Sequence, residues 1–301
     1  MTIAASDLMF RPGLMKDERI LVTGGGTGLG RVMAEAFLAL GATVYLCGRR
    51  LNLLEDTAAA LMAAHGGRVV ALTCDIRDEA AIARAVDACW SDGGPITGLV
   101  NNAAGNFLSR TEDLSPRAFD AIASIVLRGT FCMTLECGKR WLAEGRKASV
   151  LSILTTWVWN GSPFTVPSAM SKAGLNAMTQ SLAVEWAGRG VRFNAIAPGL
   201  FPTEGMSARL NPAGGEHKAE GNPMGRNGFM PELANLACYL MAPGSEYLNG
   251  QTIAIDGAQY QATGGNYSRL ASWGDKEWLH ARENARRVDR DHNDRTGPEP
   301  A

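Results

Sequence analysis

The chain has 301 residues, 46% of them hydrophobic, with 29 basic and 30 acidic side chains for a formal net charge of −1. That length fits one large domain with a sizeable core, and the balanced charge excludes the basic excess of a nucleic-acid binder. Cys47, Cys74, Cys89, Cys132, Cys137 and Cys238 form no C-x-x-C pair, and His65, His217, His280 and His292 are scattered, so reduced thiols, a cytoplasmic location and no metal site are expected. No apolar run approaches the length of a membrane span and no apolar leader precedes a cleavage site, so neither a membrane segment nor a secretory signal is expected.

Residues 1–18 read as a loose arm. Residues 19–25 are a short apolar run ending in glycines, the signature of a buried strand, and 28–40 follow as a helix with Val32, Met33, Ala36, Phe37 and Leu40 on one face. Strand and helix then alternate: strands at 42–48, 68–75, 98–105, 148–156, 191–199 and 251–257, helices at 51–64, 79–90, 115–144 (one helix or two), 168–188 and 231–241. The segment 200–230, rich in Gly and Pro, reads as a mobile insertion and candidate lid. Residues 261–301 form a charged extension, helical from about Asp275 and fraying towards its end. Seven near-continuous apolar strands separated by helices predict a doubly wound parallel sheet with helices on both faces, spanning 19–260. Its polar, glycine-rich segments (23–30, 48–50, 101–106, 155–162, 198–206) all fall at strand carboxyl ends, where such sheets bind ligands.

The segment Thr23-Gly24-Gly25-Gly26-Thr27-Gly28-Leu29-Gly30 joins the first strand to the first helix. Glycines there let the backbone approach a pyrophosphate, and the helix N-terminus favours its charge. This makes the sheet a Rossmann-type dinucleotide binder. The second strand ends in Cys47-Gly48-Arg49-Arg50, with two guanidiniums where an NAD site carries an acid. They either receive a 2′-phosphate, which selects NADP(H), or simply open a solvated helix. Asp75 either accepts from the adenine amino group or serves the turn.

These segments, with CDIRD (74–78), NNAAG (101–105), Ser171-Lys172-Ala173-Gly174 and Ala197-Pro198-Gly199, resemble the short-chain dehydrogenase/reductase family over about residues 17–260. Within it, NNAAGNF (101–107), LSPRAF (114–119), IVLRGTF (125–131), VPSAMSKAGLNAM (166–178), SLAVEW (181–186), RFNAIAPG (192–199) and ELANLA (232–237) are similar to 2,4-dienoyl-CoA reductases. Those enzymes use NADPH to reduce conjugated dienoyl-CoA thioesters to enoyl-CoA. The resemblance implies that Thr23, Gly24, Thr27, Gly28, Leu29, Gly30, Arg49, Arg50, Asp75, Ile76, Asn102, Ala103, Lys172, Pro198 and Gly199 hold the cofactor. It implies a homotetramer built partly on the helices of 115–144 and 168–188, and a small-molecule substrate, an acyl-CoA.

The same resemblance assigns Lys172 to the nicotinamide ribose hydroxyls and matches Thr155 to the family serine. The family tyrosine, four residues before the lysine, is Ser168 here, as in dienoyl reductases. Their alternative tyrosine, fifteen residues before the lysine, is Trp157, and the family asparagine of the long helix is Arg128. Arg128 either faces the cleft and binds an anionic group or points to solvent or an interface. Asn106 lies near the substrate. Phe107 covers an acyl chain or packs in the core. Arg110 and Arg209 are candidate contacts for CoA phosphates, although Asp113 stands where the subgroup carries a further arginine. The expectation is an NADP(H)-dependent reductase of a conjugated acyl thioester. Its rivals are a carbonyl reductase or alcohol dehydrogenase with another proton donor, and a catalytically impaired dinucleotide-binding subunit.

Overall fold

The computed structural model describes residues 2–203, 222–263, 270 and 272–284. Seven strands, β1 (Arg19–Thr23), β2 (Thr43–Gly48), β3 (Val69–Thr73), β4 (Gly98–Asn101), β5 (Ala148–Ile153), β6 (Val191–Pro198) and β7 (Thr252–Ile255), form one sheet in the order β3-β2-β1-β4-β5-β6-β7. Every pairing is parallel, as continuous apolar strands buried on both faces require. The order reverses between β1 and β4, and their diverging connections open a crevice above the strand ends.

Among the described residues up to 263, the helices are α1 (Gly28–Ala39), α2 (Leu51–His65), α3 (Glu79–Ser91), α4 (Pro116–Ala123), α5 (Thr130–Glu144), α6 (Trp157–Asn160), α7 (Val166–Trp186), α8 (Met230–Met241) and α9 (Gln259–Thr263). On one face of the sheet, Val22, Phe37, Leu46, Leu151 and Leu233 belong to a continuous core with α1 and α8. On the other, Leu21, Val86, Trp141, Val150 and Phe193 pack with α3, α5 and α7. Trp141 is fully buried, and its indole N–H donates to the Ile96 carbonyl at 2.7 Å, so its apolar area is buried without an orphaned donor. A smaller cluster of Ile122, Val126, Leu154, Leu175 and Ala195 lies beneath the carboxyl ends of β5 and β6.

The expected long helix is one run in three parts. Ser115 caps α4 by accepting from the Ala118 N–H at 3.2 Å, a π-helical segment (Ser124–Gly129) follows, and α5 ends at Gly145 in the left-handed region. The whole Pro116–Glu144 run is long and apolar enough to cross a membrane by composition. Here Met133, Thr134, Cys137 and Trp141 bury one side of it against the domain.

Residues 2–18 correct the reading of a loose arm. Ile3 and Met15 are buried in the α1/α8 core, and the Asn235 side chain accepts from the Met9 N–H and donates to the Asp7 carbonyl, both at 2.8 Å. The apolar residues there are too widely spaced to show a period. Helices α6 and α9 were also not anticipated. Helix α7 starts at Val166, ahead of Ser168, because Pro167 is tolerated in a first turn. Within the expected insertion, 200–203 and 222–230 are structured, and 204–221 lie outside the described residues. The tail is helical over 275–284, and 285–301 lie outside the described residues.

Gly138 lets α5 meet α7: a Cβ there would stand 2.3 Å from the Trp186 ring. Gly138→Ala should therefore cost about 1–3 kcal/mol through overpacking. Urea denaturation checks this, and an unchanged midpoint would contradict the contact.

Candidate active site

The dinucleotide end is assembled at the β1/β4 reversal. Gly24 and Gly28 have φ of +65° and +54°, which the turn needs and other residues resist. A Cβ on Gly30 would lie 2.5 Å from both the Gly24 carbonyl oxygen and the Asn102 side-chain nitrogen. The turn is bolted to β4 from behind. The Thr23 hydroxyl donates to the Val100 carbonyl (3.1 Å) and accepts from the Asn102 and Ala103 N–H groups (2.9 and 3.0 Å). The Asn102 amide donates to the Thr23 carbonyl at 2.9 Å. The Thr27 hydroxyl makes no capping bond, so the first N–H groups of α1 are left for an anion.

A cleft of about 910 Å³ opens over this turn, within the range of a cofactor site. Gly24, Thr27 and Gly28 line it, with Arg49 and Arg50 at the end of β2, Asp75 and Ile76 after β3, and Asn102, Ala103 and Asn106 after β4. Glycine backbone, an uncapped helix start and two arginines fit the phosphates of a dinucleotide. The Arg77 side chain, chiefly through its hydrogen bonds, lowers the pKa of the Asp75 carboxyl. The Arg77 Nε lies 3.0 and 3.1 Å from its two oxygens, and the Arg77 N–H donates to Oδ1 at 3.0 Å.

Thr23, Leu29, Gly30, Lys172, Pro198 and Gly199, all expected at the cofactor, are not walls of this cleft. Thr23 is buried, so its cofactor assignment is corrected to support of the turn. Leu29 packs on the core, and Pro198 and Gly199 lie where β6 meets β7, the Gly199 N–H donating to the Ile255 carbonyl at 3.0 Å. Conversely, Arg31, Leu53, Leu54, Pro202, Thr203 and Met230 line the cleft and were not anticipated. Arg31 follows the last motif glycine directly, which was a usable signal. Met230 comes from a distant helix and had none.

Outside the lining of this cleft, Ser168 and Lys172 are four residues apart on α7 and share one face. Both are buried, and the Lys172 ammonium donates to the Ile153 carbonyl at the end of β5. Burial pulls its pKa from 10.5 down to about 8. Two residues beyond Ile153, the Thr155 hydroxyl accepts from the Trp157 N–H at 2.9 Å and keeps its own proton to donate. Trp157 opens α6 and presents an indole where dienoyl reductases carry a phenol.

Of the two readings of Arg128 the outward one holds, which corrects its place among the candidate catalytic residues. Its guanidinium is half exposed, donates to the Arg77 carbonyl at 3.3 Å and pairs with the Glu79 carboxylate, away from Lys172. The π-segment turns this side chain outward. Phe107 packs against the cluster of Ile122, Leu154 and Leu175, which favours its core reading. Arg110 is exposed beside the short 3₁₀ turn Thr111–Asp113, and Arg209 lies outside the described residues. No group of His, Cys, Asp and Glu able to hold a metal occurs among the described residues.

A fold with this topology, a glycine turn at the reversal and a buried lysine on the helix after β5 defines a nicotinamide-dependent oxidoreductase class. The family model described as Enoyl-(Acyl carrier protein) reductase matches residues 24–258, and the chain belongs to the short-chain dehydrogenase/reductase family. A Caenorhabditis elegans protein named a probable 2,4-dienoyl-CoA reductase, (3E)-enoyl-CoA-producing, is 42% identical over 90% of this chain and 90% of its own length. A short chain dehydrogenase from Bacillus anthracis superposes with a TM-score of 0.74 at 35% identity, covering 82% of this chain and 98% of its own. An actinorhodin polyketide ketoreductase solved with NADPH superposes at 0.75 and 27% identity, covering 81% and 97%.

Lys172 gives a pH signature. Below pH 8 it is protonated in both folded and unfolded chains, so the folded protein carries the full cost of a buried ammonium. Between pH 8 and 10.5 the unfolded chain binds more protons, so this residue makes stability rise with pH. In cofactor-free protein, Lys172→Met should remove that rise and add roughly 1–3 kcal/mol at pH 7. Denaturation of both proteins at pH 7 and at pH 10 tests this, and parallel stability profiles would contradict the burial of the charge.

Proposed function

We propose that the protein is an NADP(H)-dependent reductase of conjugated acyl-CoA thioesters, of the 2,4-dienoyl or enoyl type. The observation that carries this reading is the donor set at the end of β5: Lys172, Ser168 and Thr155, with Trp157 in place of a phenol. The name of the 42% identical relative supports the same substrate class. Arg49 and Arg50, with no acid at that strand end, support NADP(H) over NAD(H).

When bound, the reduced nicotinamide supplies a hydride. Lys172 orients the ribose through its hydroxyls, and its low-dielectric setting strengthens each hydrogen bond it makes. Hydride addition to a conjugated thioester moves charge to the thioester oxygen, and the Ser168 and Thr155 hydroxyls are the donors available to receive it. Protonation of carbon then draws on water. An alcohol dehydrogenase needs an acid at the carbonyl oxygen as the hydride arrives, worth ~10²–10⁴-fold, and neither hydroxyl is acidic enough to match a phenol. The reading includes a homotetramer assembled on α5 and α7, which leave Phe131, Met170 and Val184 exposed.

NADPH oxidation with a short 2,4-dienoyl-CoA should be lost by about 100-fold or more in Lys172→Ala. NADPH bound without turnover of dienoyl-CoA or enoyl-CoA would favour the dinucleotide-binding role instead. Replacing Arg49 and Arg50 together by alanine should weaken NADPH about 10–100-fold and leave NADH nearly unchanged, read by fluorescence titration. Equal losses for both cofactors would refute the 2′-phosphate assignment.

A further inference from the structure

Arg128 occupies a family catalytic position, yet its side chain leaves the cleft. What it touches is the turn after β3, which the dinucleotide reading puts at the adenine end. Asp75 and Ile76 line the cleft, and Arg77 grips Asp75. Arg128 holds both sides of this turn: Nη1 donates to the Arg77 carbonyl at 3.3 Å, and Nη2 pairs with Glu79 at the start of α3. The neighbouring Gly129 brings the π-segment against the same turn, since a Cβ there would stand 2.7 Å from the Ile76 carbonyl oxygen. On its other flank the π-segment meets α7. A Cβ on Gly174, two residues past Lys172, would lie 2.9 Å from Leu127. The π-segment therefore bridges the adenine turn and the helix of the catalytic lysine.

We propose that Arg128 is a positioning residue for the adenine end of the dinucleotide: it clamps the turn 75–79 to the π-segment and so fixes Asp75 and Ile76 in the cleft wall. It takes no part in proton transfer. Glu79 is the other half of the clamp. Both partners are more than half exposed, so the effect is modest and sensitive to salt.

The proposal rests on the NADP(H) reading only for its probe, and the same comparison runs with NADH if NADPH fails to bind the parent protein. The full chain is titrated with NADPH and with 2′,5′-ADP, which lacks the nicotinamide. Arg128→Ala should weaken both by the same factor, roughly three- to ten-fold at low salt. Arg128→Lys, which keeps the charge without the fork, should fall between. Adding Glu79→Gln to Arg128→Ala should cost nothing further. In steady state the loss should appear in KM for NADPH, with the pH profile of kcat unmoved. Arg128→Asn, which restores the family residue, should bind like Arg128→Ala without a gain in kcat. Unchanged affinity for 2′,5′-ADP would overturn the proposal. So would a shifted kcat profile in Arg128→Ala, or a gain in kcat in Arg128→Asn, because either puts position 128 back in the proton path.

Discussion

The arrangement depends on the bond network between Thr23 and Asn102 at the point where the strand order reverses. A parallel sheet opens a crevice there, but an open crevice leaves backbone groups at two strand ends without ladder partners. The Thr23 hydroxyl answers three of those groups and the Asn102 amide a fourth. The glycine turn is thereby held rigid from behind while its front stays free. That division explains why Thr23 is buried although it stands inside the dinucleotide motif. It also explains why Gly30 admits no side chain: the space its Cβ would take is filled by the Asn102 amide and the Gly24 carbonyl.

The reaction end obeys a second constraint, the cost of a buried ammonium. Among the described residues the Lys172 ammonium donates to the Ile153 carbonyl, and burial lowers its pKa. A lysine in that setting gains from partners that restore its lost hydration, and ribose hydroxyls are such partners. The same helix face carries Ser168, and Thr155 stands two residues past the end of β5, just beyond the acceptor carbonyl. Helix α7 packs on β6 over the cluster of Leu154, Leu175 and Ala195, and this brings the Lys172 ammonium to the carbonyl that ends β5.

Much of this was legible in the chain. Strand runs such as Ile20-Leu21-Val22 and Val44-Tyr45-Leu46 are apolar on both faces, so the parallel sheet and its cleft end followed from pattern. Gly24, Gly28 and the pair Arg49-Arg50 announced the phosphate end because backbone freedom and charge are local properties. What pattern does not carry is direction and distance. The outward turn of Arg128 depends on a π-segment, which shifts side-chain phase without altering composition. Met230 reaches the cleft from about two hundred residues beyond the glycine turn, and Ile3 and Met15 lock the first residues to α1 and α8 with no periodic signal. Helix α6 has only four residues, too few to show a period.

The replacement of a phenol by an indole at position 157 also bears on which oxygen the site can serve. A carbonyl reduced to an alkoxide concentrates a full charge on one atom, with a proton needed as it forms. A conjugated thioester spreads that charge along carbon before it reaches oxygen, so neutral hydroxyl donors stabilise a larger share of it. A buried lysine with a pKa of about 8 is still charged at neutral pH and can assist either reaction by its field, but its ammonium donates to the Ile153 carbonyl. The weaker the available acid, the more the chemistry must rely on positioning. A rigid glycine turn, an arginine pair at the end of β2 and a turn after β3 braced by Arg128 are the features of this chain that can supply positioning.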